Sequence, residues 1–321
     1  MVRTAAVIGA GTIGASIGQL LAHAGVQVSL HARRAETLTR ARERIRAGLD
    51  LFADEQLLTT SEAKAALDRI RATQDLTEAV RGAEFVMEAV TEDPEIKRGV
   101  YAAMGHAVGP DALVASTTSG LNIYELAPSF PNPARLIIAH FWNPPHLIPL
   151  VEVVPGPQTS AEAIRATETL MRELGRTPVT MKAFVPGFIG VRLQSALFRE
   201  ALALINQGVV GPAEIDAVMR EAIALRLPVL DIMEVADFGG LDTFRRVWQH
   251  MFPLLTSSGE LPGCVRDRVE RGELGLKSGR GFHDYHGENQ QALLRERDRK
   301  LLRWLKERDR YRLKRGNGGT R

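Results

Sequence analysis

The sequence predicts an α/β protein in which a doubly wound parallel sheet is followed by an all-α C-terminal domain. Short apolar runs alternate with amphipathic helical stretches through the first half of the chain, and the pattern from Gly187 onward is almost wholly helical. The length of 321 residues also exceeds the usual size of one domain. We expect a first domain over 1–183, a helical domain over 184–285, and a basic helix with a flexible end over 286–321.

Each predicted strand is a short apolar run framed by Gly, Pro or polar residues, as is typical of buried parallel strands. The predicted strands are Thr4–Ala10, Gln27–Ala32, Phe85–Val90, Ala112–Thr117, Arg135–Phe141, Pro149–Pro155 and Pro178–Met181. Helical spacing predicts Thr12–His23, Ala35–Asp50, Ser61–Arg71, Asp93–Ala107, Ser160–Leu174, Phe188–Gln207, Pro212–Leu225 and Gln290–Leu313. At Asp93-Pro94 a capping residue is followed by proline in the first turn, which marks a helix start.

Composition excludes several classes of protein. A single cysteine, Cys264, rules out an internal disulfide framework and suits a reducing compartment. No stretch approaches the ~18 uninterrupted apolar residues of a membrane span. The strand pattern begins almost at the first residue, so we expect no cleavable signal peptide and a cytoplasmic location.

A glycine-rich loop joins the first predicted strand to the first predicted helix. Gly9, Gly11 and Gly14 form the pattern G-x-G-x-x-G, with Thr12 and Ile13 between the last two glycines. In this strand–loop–helix context the pattern indicates a dinucleotide site, because the helix N-terminus attracts the pyrophosphate. Residues 1–183 are therefore expected to form a Rossmann domain. The alternative is a plain strand–helix turn in a nucleotide-free α/β domain.

The end of the second predicted strand indicates which dinucleotide binds. NAD sites usually carry Asp or Glu at this strand tip, where the carboxylate bonds the ribose 2′-hydroxyl. Here the tip is Ala32, and Arg33 and Arg34 follow it. Guanidinium groups can hold a 2′-phosphate that a carboxylate would repel. We therefore favour NADP(H) over NAD(H), the alternative being that both arginines are solvated loop charges.

Seven further motifs follow one another along the chain. They are Glu88-Ala89-Val90-Thr91-Glu92 with Lys97, Ser116-Thr117-Thr118-Ser119, Ala139-His140-Phe141-Trp142-Asn143-Pro144-Pro145, Leu150-Val151-Glu152-Val153, Val185-Pro186-Gly187-Phe188-Ile189, Gly240-Leu241-Asp242 and Gly275-Leu276-Lys277-Ser278-Gly279-Arg280-Gly281-Phe282. In this order, from Val7 to about Tyr285, they resemble the L-3-hydroxyacyl-CoA dehydrogenase family. Its superfamily includes L-gulonate 3-dehydrogenase (lambda-crystallin), carnitine dehydrogenase and a pyridoxine-degradation dehydrogenase.

Chemistry at a carbinol carbon requires a group that exchanges the hydroxyl proton, and a histidine does so near neutral pH. His140 ends one predicted strand and Glu152 lies on the next, a geometry that could bring them together. The resemblance implies that His140 is the acid/base and Glu152 its orienting partner. It also implies that Ser119 donates to the substrate oxygen and that Glu92 and Lys97 lie near the nicotinamide. Apart from the resemblance, the alternatives are that His140 is a structural residue and that Ser119 belongs to a turn that starts the next helix.

Besides Ala32 at the strand tip, the sequence departs from the family pattern at two further places. Val191 stands where the family has an asparagine near the reacting oxygen, so either the remaining donors suffice or another polar group supplies the contact. The family's Gly-Pro-Phe-Glu box reads Asp231-Ile232-Met233-Glu234. With Asn143, Val191 is a candidate for the substrate pocket. These changes argue against a fatty acyl-CoA substrate, and the stretch His140–Pro145 with its double proline resembles the branches of the family that act on small hydroxy acids.

Positive charge is concentrated at the C-terminal end. The whole chain carries +3, whereas 295–321 holds 12 Lys/Arg against 4 Asp/Glu, so the remaining residues carry −5. Because acidic residues interleave with the basic ones and no nucleic-acid module is visible, we expect a helix that docks on its own cofactor domain or on a partner subunit. A polybasic binder of nucleic acid or membrane is the alternative.

Taken together, these features predict an NADP(H)-dependent oxidoreductase that interconverts a small 3-hydroxy acid or thioester and its 3-keto form. We expect a homodimer through the helical domain, no metal site, and no nucleic-acid or membrane partner. Three alternatives stay open. They are an NAD-dependent sugar-acid or carnitine-type dehydrogenase, an imine (C=N) reductase, and a dinucleotide-binding structural protein without catalysis.

Overall fold

A computed structural model describes residues 2–128 and 130–315, with side chains through residue 308. The chain divides into two compact units, Met1–Val191 and Arg192–Arg321. The predicted flexible end, from Gly316 onward, lies outside the described residues. In the described part of the chain, no helix combines the length and apolar character needed to cross a membrane.

The first unit is built on one eight-stranded sheet. Its strands are β1 (Thr4–Ile8), β2 (Gln27–His31), β3 (Ile70–Thr73), β4 (Phe85–Glu88), β5 (Leu113–Ser116), β6 (Leu136–Phe141), β7 (Leu150–Pro155) and β8 (Thr177–Thr180). The strand order is β3-β2-β1-β4-β5-β6-β7-β8, and only the β6–β7 pair is antiparallel. The order reverses direction at β1, which pairs with both β2 and β4, so this is a doubly wound sheet with its switch point there. The predicted fold class is confirmed.

Helices cover both faces of this sheet. They are α1 (Thr12–His23), α2 (Ala35–Asp54), α3 (Thr60–Asp68), α4 (Leu76–Val80), α5 (Pro94–Gly105), α6 (Ile123–Leu126) and α7 (Ala161–Glu173), with a 3-10 turn at Pro133–Arg135. Alternate strand residues belong to two separate apolar clusters, Val7 to one and Ile8 to the other. The predicted cap of α5 is confirmed, because the Asp93 carboxylate accepts from the backbone N–H groups of Glu95 and Ile96.

The predicted helix Ser61–Arg71 is wrong at its end. The helix stops at Asp68, and Ile70 begins strand β3 at the edge of the sheet, parallel to β2. Ile70 and Thr73 are buried while the two residues between them are exposed, a pattern that is also compatible with a helical turn. Pairing with β2 therefore overrides the local helical preference.

The second unit is helical. Its elements are α8 (Gly190–Asn206), which starts at the end of the first unit, α9 (Pro212–Val218), a π-helical segment (Met219–Ala224), α10 (Ile232–Gly239), α11 (Leu241–Met251), a 3-10 turn (Phe252–Leu254), α12 (Gly263–Glu270) and α13 (Gln290–Arg315). The single helix predicted over Pro212–Leu225 thus changes to π geometry after Val218. Among its described side chains, Ala236 and Leu302 alone are buried hydrophobic residues.

Candidate active site

The glycine loop connects β1 to α1 and has the geometry that a dinucleotide requires. Gly9 has φ +109°, and a Cβ there would lie 2.4 Å from the carbonyl oxygen of Ala89. A Cβ on Gly14 would lie 1.8 Å from the carbonyl oxygen of Gly9. A Cβ on Gly11, in contrast, would meet nothing within 4 Å. Gly9 and Gly14 are therefore required by the fold itself, whereas Gly11 leaves an open cradle that fits a pyrophosphate.

The first turn of α1 faces this cradle. Gly11 is the N-cap residue and makes no side-chain cap, and Thr12 and Ile13 are the first two helical residues. The backbone N–H groups of a first helical turn have no partner inside the helix, and they carry the positive end of the helix dipole. The loop can thus bind an anionic group through backbone donors.

The tip of β2 carries no carboxylate. Ala32 is buried there, while Arg33 and Arg34 are exposed, and the Gln74 side-chain amide donates to the Arg33 carbonyl at 2.9 Å. In the part of the chain that the structure describes, neither guanidinium is in an ion pair. His31 is buried beside them, and burial lowers its pKa, so the ring is neutral near pH 7. The positive charge at this tip comes from the two arginines.

A buried ionic cluster at the ends of β4 and β5 was not predicted from the sequence. Glu88 is fully buried and accepts from Lys97 at 2.8 and 2.9 Å, from the Ser116 hydroxyl at 2.6 Å and from the Tyr101 hydroxyl at 3.0 Å. The Val90 backbone N–H donates to the same carboxylate at 2.9 Å. Burial, followed by the charge of Glu88, holds the pKa of Tyr101 well above its usual range. Tyr101 is therefore a permanent donor.

Glu92 links this cluster to the loop that carries Ser119. Its carboxylate lies 3.3 Å from the Lys97 ammonium and accepts from the Thr118 hydroxyl at 2.5 Å and the Ser119 N–H at 2.9 Å. Burial raises the pKa of Glu92, but these hydrogen bonds and the Lys97 charge outweigh it and leave the pKa below its ordinary value. The loop after β5 is thus tied to the loop after β4. Ser119 is exposed at this edge.

His140 and Glu152 face each other across the antiparallel β6–β7 pair. The register places them directly opposite, and the imidazole Nδ1 lies 2.9 Å from Glu152 Oε2. Both side chains are more than nine-tenths buried. The adjacent Phe141 N–H donates to the Thr117 hydroxyl at 3.1 Å, which links the end of β6 to the loop after β5. The pair therefore lies at the same edge of the sheet as Ser119.

A tight turn before α8 supplies two more donors to Glu152. Gly187 has φ +76° and Phe188 has φ +49°, a left-handed conformation that is uncommon for a bulky residue. After this turn the backbone N–H groups of Ile189 and Gly190 both donate to Glu152 Oε1, at 2.8 and 2.9 Å. Phe188 is buried with its ring 5.3 Å from the imidazole centroid. The conformational strain at Phe188 thus accompanies a backbone that binds the carboxylate.

The charge state of Glu152 fixes the state of the imidazole. Burial raises the pKa of Glu152, but the hydrogen bonds from the imidazole, the indole of Trp142 and the two backbone N–H groups outweigh it and leave the pKa lowered. An ionised carboxylate only accepts hydrogen bonds, so Nδ1 of His140 must carry the proton. Nε2 remains to exchange a proton with a bound molecule.

Each pocket candidate directly follows in the chain a residue that donates to Glu152. Asn143 is exposed, follows Trp142 and precedes Pro144 through a cis peptide bond. Val191 is half-buried and directly follows Gly190. Val191 has no side-chain donor, and the Trp142 indole N–H is already bonded to Glu152 at 3.2 Å.

The fold and the site define an NAD(P)-dependent dehydrogenase or reductase that acts on CH–OH groups. Residues 4–184 match the family described as "3-hydroxyacyl-CoA dehydrogenase, NAD binding domain", and residues 187–285 match "3-hydroxyacyl-CoA dehydrogenase, C-terminal domain". The chain belongs to the 3-hydroxyacyl-CoA dehydrogenase family, as the motifs of the sequence predicted.

Several named relatives align over most of the chain. A 5-formyl-3-hydroxy-2-methylpyridine 4-carboxylate 5-dehydrogenase of Mesorhizobium japonicum is 33% identical, over 94% of this chain and 97% of that protein. A solved structure of such an enzyme, described as an NAD+ dependent dismutase, gives a TM-score of 0.88 at 32% identity and covers 96% of this chain and 99% of its own. A probable 3-hydroxybutyryl-CoA dehydrogenase of Deinococcus radiodurans is 35% identical, over 87% of this chain and 99% of that protein. An L-carnitine dehydrogenase of Streptomyces griseus is 34% identical, over 94% of this chain and 88% of that protein.

Proposed function

We propose that this protein is an NADP(H)-dependent oxidoreductase that interconverts a small 3-hydroxy acid or thioester and its 3-keto form. The observation that carries this proposal is the hydrogen bond of 2.9 Å between Nδ1 of His140 and the buried carboxylate of Glu152. The dinucleotide, when bound, supplies or accepts the hydride. The residues of this chain have to bind the substrate oxygen and move its proton.

In this proposal His140 is the acid/base. Glu152 holds the Nδ1 proton in place, so that Nε2 takes the hydroxyl proton during oxidation and returns it during reduction. Ser119 donates a hydrogen bond to the same substrate oxygen from the loop that Glu92 holds. Because Val191 offers no donor, the substrate oxygen depends on two side chains of this chain.

The preference for NADP(H) rests on the tip of β2. The strand ends at Ala32 without a carboxylate, and the exposed guanidinium groups of Arg33 and Arg34 follow. A 2′-phosphate can accept charge-assisted hydrogen bonds from them. Glu92 and Lys97 act on the same cofactor indirectly, because their ion pair fixes the loops at the edge of the sheet where the cofactor binds. Against this preference stands the solved relative that is described as NAD+ dependent.

Cofactor titration tests this preference. We expect NADPH to bind more tightly than NADH, and Arg33→Ala and Arg34→Ala each to weaken NADPH binding about tenfold while leaving NADH binding unchanged. Ala32→Asp is the reverse control and should invert the preference, since it adds the missing carboxylate. Tighter binding of NADH that survives both arginine substitutions rejects the NADP(H) assignment.

The substrate class is tested by a panel followed at 340 nm, in which keto and imine compounds are supplied with NADPH or NADH and alcohols with NADP+ or NAD+. The panel pairs short 3-keto acids with their CoA thioesters and includes a carnitine-type alcohol, a sugar acid and a cyclic imine. The proposal expects turnover of a 3-keto acid or thioester. Turnover of the imine alone, or of no compound by a protein that still binds cofactor, contradicts it.

A second candidate substrate class is a ring that carries both a formyl or hydroxymethyl group and a free carboxylate. It is favoured by the TM-score of 0.88 and near-complete coverage with the 5-formyl-3-hydroxy-2-methylpyridine 4-carboxylic acid 5-dehydrogenase structure. This class joins the same panel. An aldehyde that is both oxidised and reduced, with no net change in cofactor, would identify it.

We infer that the protein is a homodimer through its helical unit. Large apolar side chains are exposed along α8, including Leu193, Leu197 and Phe198, each more than half exposed. Contiguous exposed apolar surface of this kind marks interaction sites. Sedimentation velocity should give twice the mass of one chain, and Phe198→Glu should give the single mass. A wild-type monomer at micromolar concentration rejects the inference.

A further inference from the structure

Trp142 shares an acceptor with the imidazole of His140. Its indole N–H donates to Glu152 Oε2 at 3.2 Å, and Nδ1 of His140 lies 2.9 Å from the same oxygen atom. The ring centroids of the histidine and the tryptophan are 5.9 Å apart. Two donors therefore compete for one carboxylate oxygen, whereas the other oxygen of Glu152 is bound by backbone N–H groups alone.

The indole is held in this position by close packing. A Cβ on Gly190 would lie 2.3 Å from Cζ2 of Trp142, so the absence of a side chain at Gly190 makes room for the indole. The ring of Phe188 also lies near the imidazole, with 5.3 Å between the ring centroids. The imidazole thus lies near two aromatic rings, and one of them also bonds its carboxylate.

We propose that Trp142 is a positioning residue for the reaction: by donating to Glu152 Oε2 it limits how strongly this carboxylate holds the Nδ1 proton of His140. This inference rests on the proposed function, because it concerns the group that moves the substrate proton. In the sequence, Trp142 is part of a family motif without a predicted role.

The physical basis is the shared oxygen. A carboxylate that accepts an additional hydrogen bond has less electron density for each donor, and hydrogen bonds to its charged form lower its proton affinity. Glu152 on β7 is the titratable side chain that the ring contacts. Past the end of the other neighbouring strand, β5, the Thr117 hydroxyl accepts from the Phe141 N–H, whereas the Ser116 hydroxyl is bonded to Glu88. The turn before α8 places the Phe188 ring near the imidazole. The strength of the His140–Glu152 contact therefore depends on the indole.

Proton NMR of the full-length protein, labelled with 15N-histidine, tests this directly. His140→Gln identifies the low-field Nδ1–H resonance by its loss. In Trp142→Phe, which keeps an aromatic ring but no N–H, we expect this resonance to move downfield. We also expect the acidic limb of the kcat/KM profile to move to higher pH by about half a unit, since a stronger acceptor stabilises the imidazolium.

The matched control is Trp248→Phe, a tryptophan of the second unit, which should move neither signal. If Trp142→Phe fails to fold, Gly190→Ala gives a second route, because its methyl group displaces the indole without removing the N–H. An unmoved or upfield Nδ1–H resonance in these variants overturns the role of Trp142. If His140→Gln keeps full turnover, the proposed function fails instead, and the NMR result still decides the hydrogen-bond competition.

Discussion

Replacing Lys97 with methionine tests the buried cluster at the carboxyl edge of the sheet. Lys97 and Glu88 have side-chain exposures of 1% and 0%, and their contact at 2.8 Å is the pairing of two charges removed from water. Removing one partner of a buried ion pair typically costs about 3–5 kcal/mol, because the other charge stays buried without an opposite charge beside it. The contact of Lys97 with Glu92 adds little, since Glu92 is 42% exposed.

The assay is urea unfolding followed by circular dichroism at neutral pH. We expect Lys97→Met to lower the free energy of unfolding by about 3–5 kcal/mol. The exposed lysine Lys64, on α3, provides the matched control, and Lys64→Met should change stability by less than about 0.5 kcal/mol. In the double variant Lys97→Met/Glu88→Gln the loss should be smaller than the sum of the single losses, because no buried charge remains. A loss below about 1 kcal/mol for Lys97→Met would show that the pair of Lys97 and Glu88 does not stabilise the fold.

Two further predictions concern the glycine loop and Glu152. Gly11→Ala should fold normally but weaken NADPH binding at least about tenfold, because its methyl group enters the open cradle. Gly14→Ala should lower the melting temperature, because its methyl group meets the Gly9 carbonyl. Equal melting temperatures for the two variants would contradict this. Because folding lowers the pKa of Glu152, its carboxylate stabilises the folded protein at pH values above the ordinary glutamate pKa of about 4.3. This stabilisation is lost as the pH falls through the pKa of Glu152 in the folded protein. Urea midpoints of wild type and Glu152→Gln should therefore converge below about pH 4, and a gap that is constant from pH 6 to 3.5 would contradict it.

The fold was largely predictable because buried parallel strands are short apolar runs between turn residues. The exception was β3, whose four residues, Ile70–Thr73, alternate too briefly to be told from a helical turn. Its strand conformation depends on pairing with β2, some forty residues earlier in the chain. Local sequence does not contain that pairing.

The candidate site was predictable in part. The motifs indicated Glu92 and Ser119 separately, and the structure joins them by a hydrogen bond. Glu88 was part of a motif, but its burial in an ionic cluster could not be predicted, because its partners come from α5 and β5. The role of Trp142 depends on the antiparallel register that sets Glu152 opposite His140. Such contacts between distant segments carry no signal in a single sequence.

Single-turnover kinetics of His140→Gln measure whether His140 transfers the substrate proton. Cofactor binding by this variant, measured by NADPH fluorescence, should stay within about threefold of wild type, since the glycine loop is untouched. With the best substrate of the panel, the rate of hydride transfer should fall about a hundredfold to ten-thousandfold, because general acid–base catalysis contributes about 10²–10⁴. A rate within tenfold of wild type would show that His140 is not the group that moves the proton.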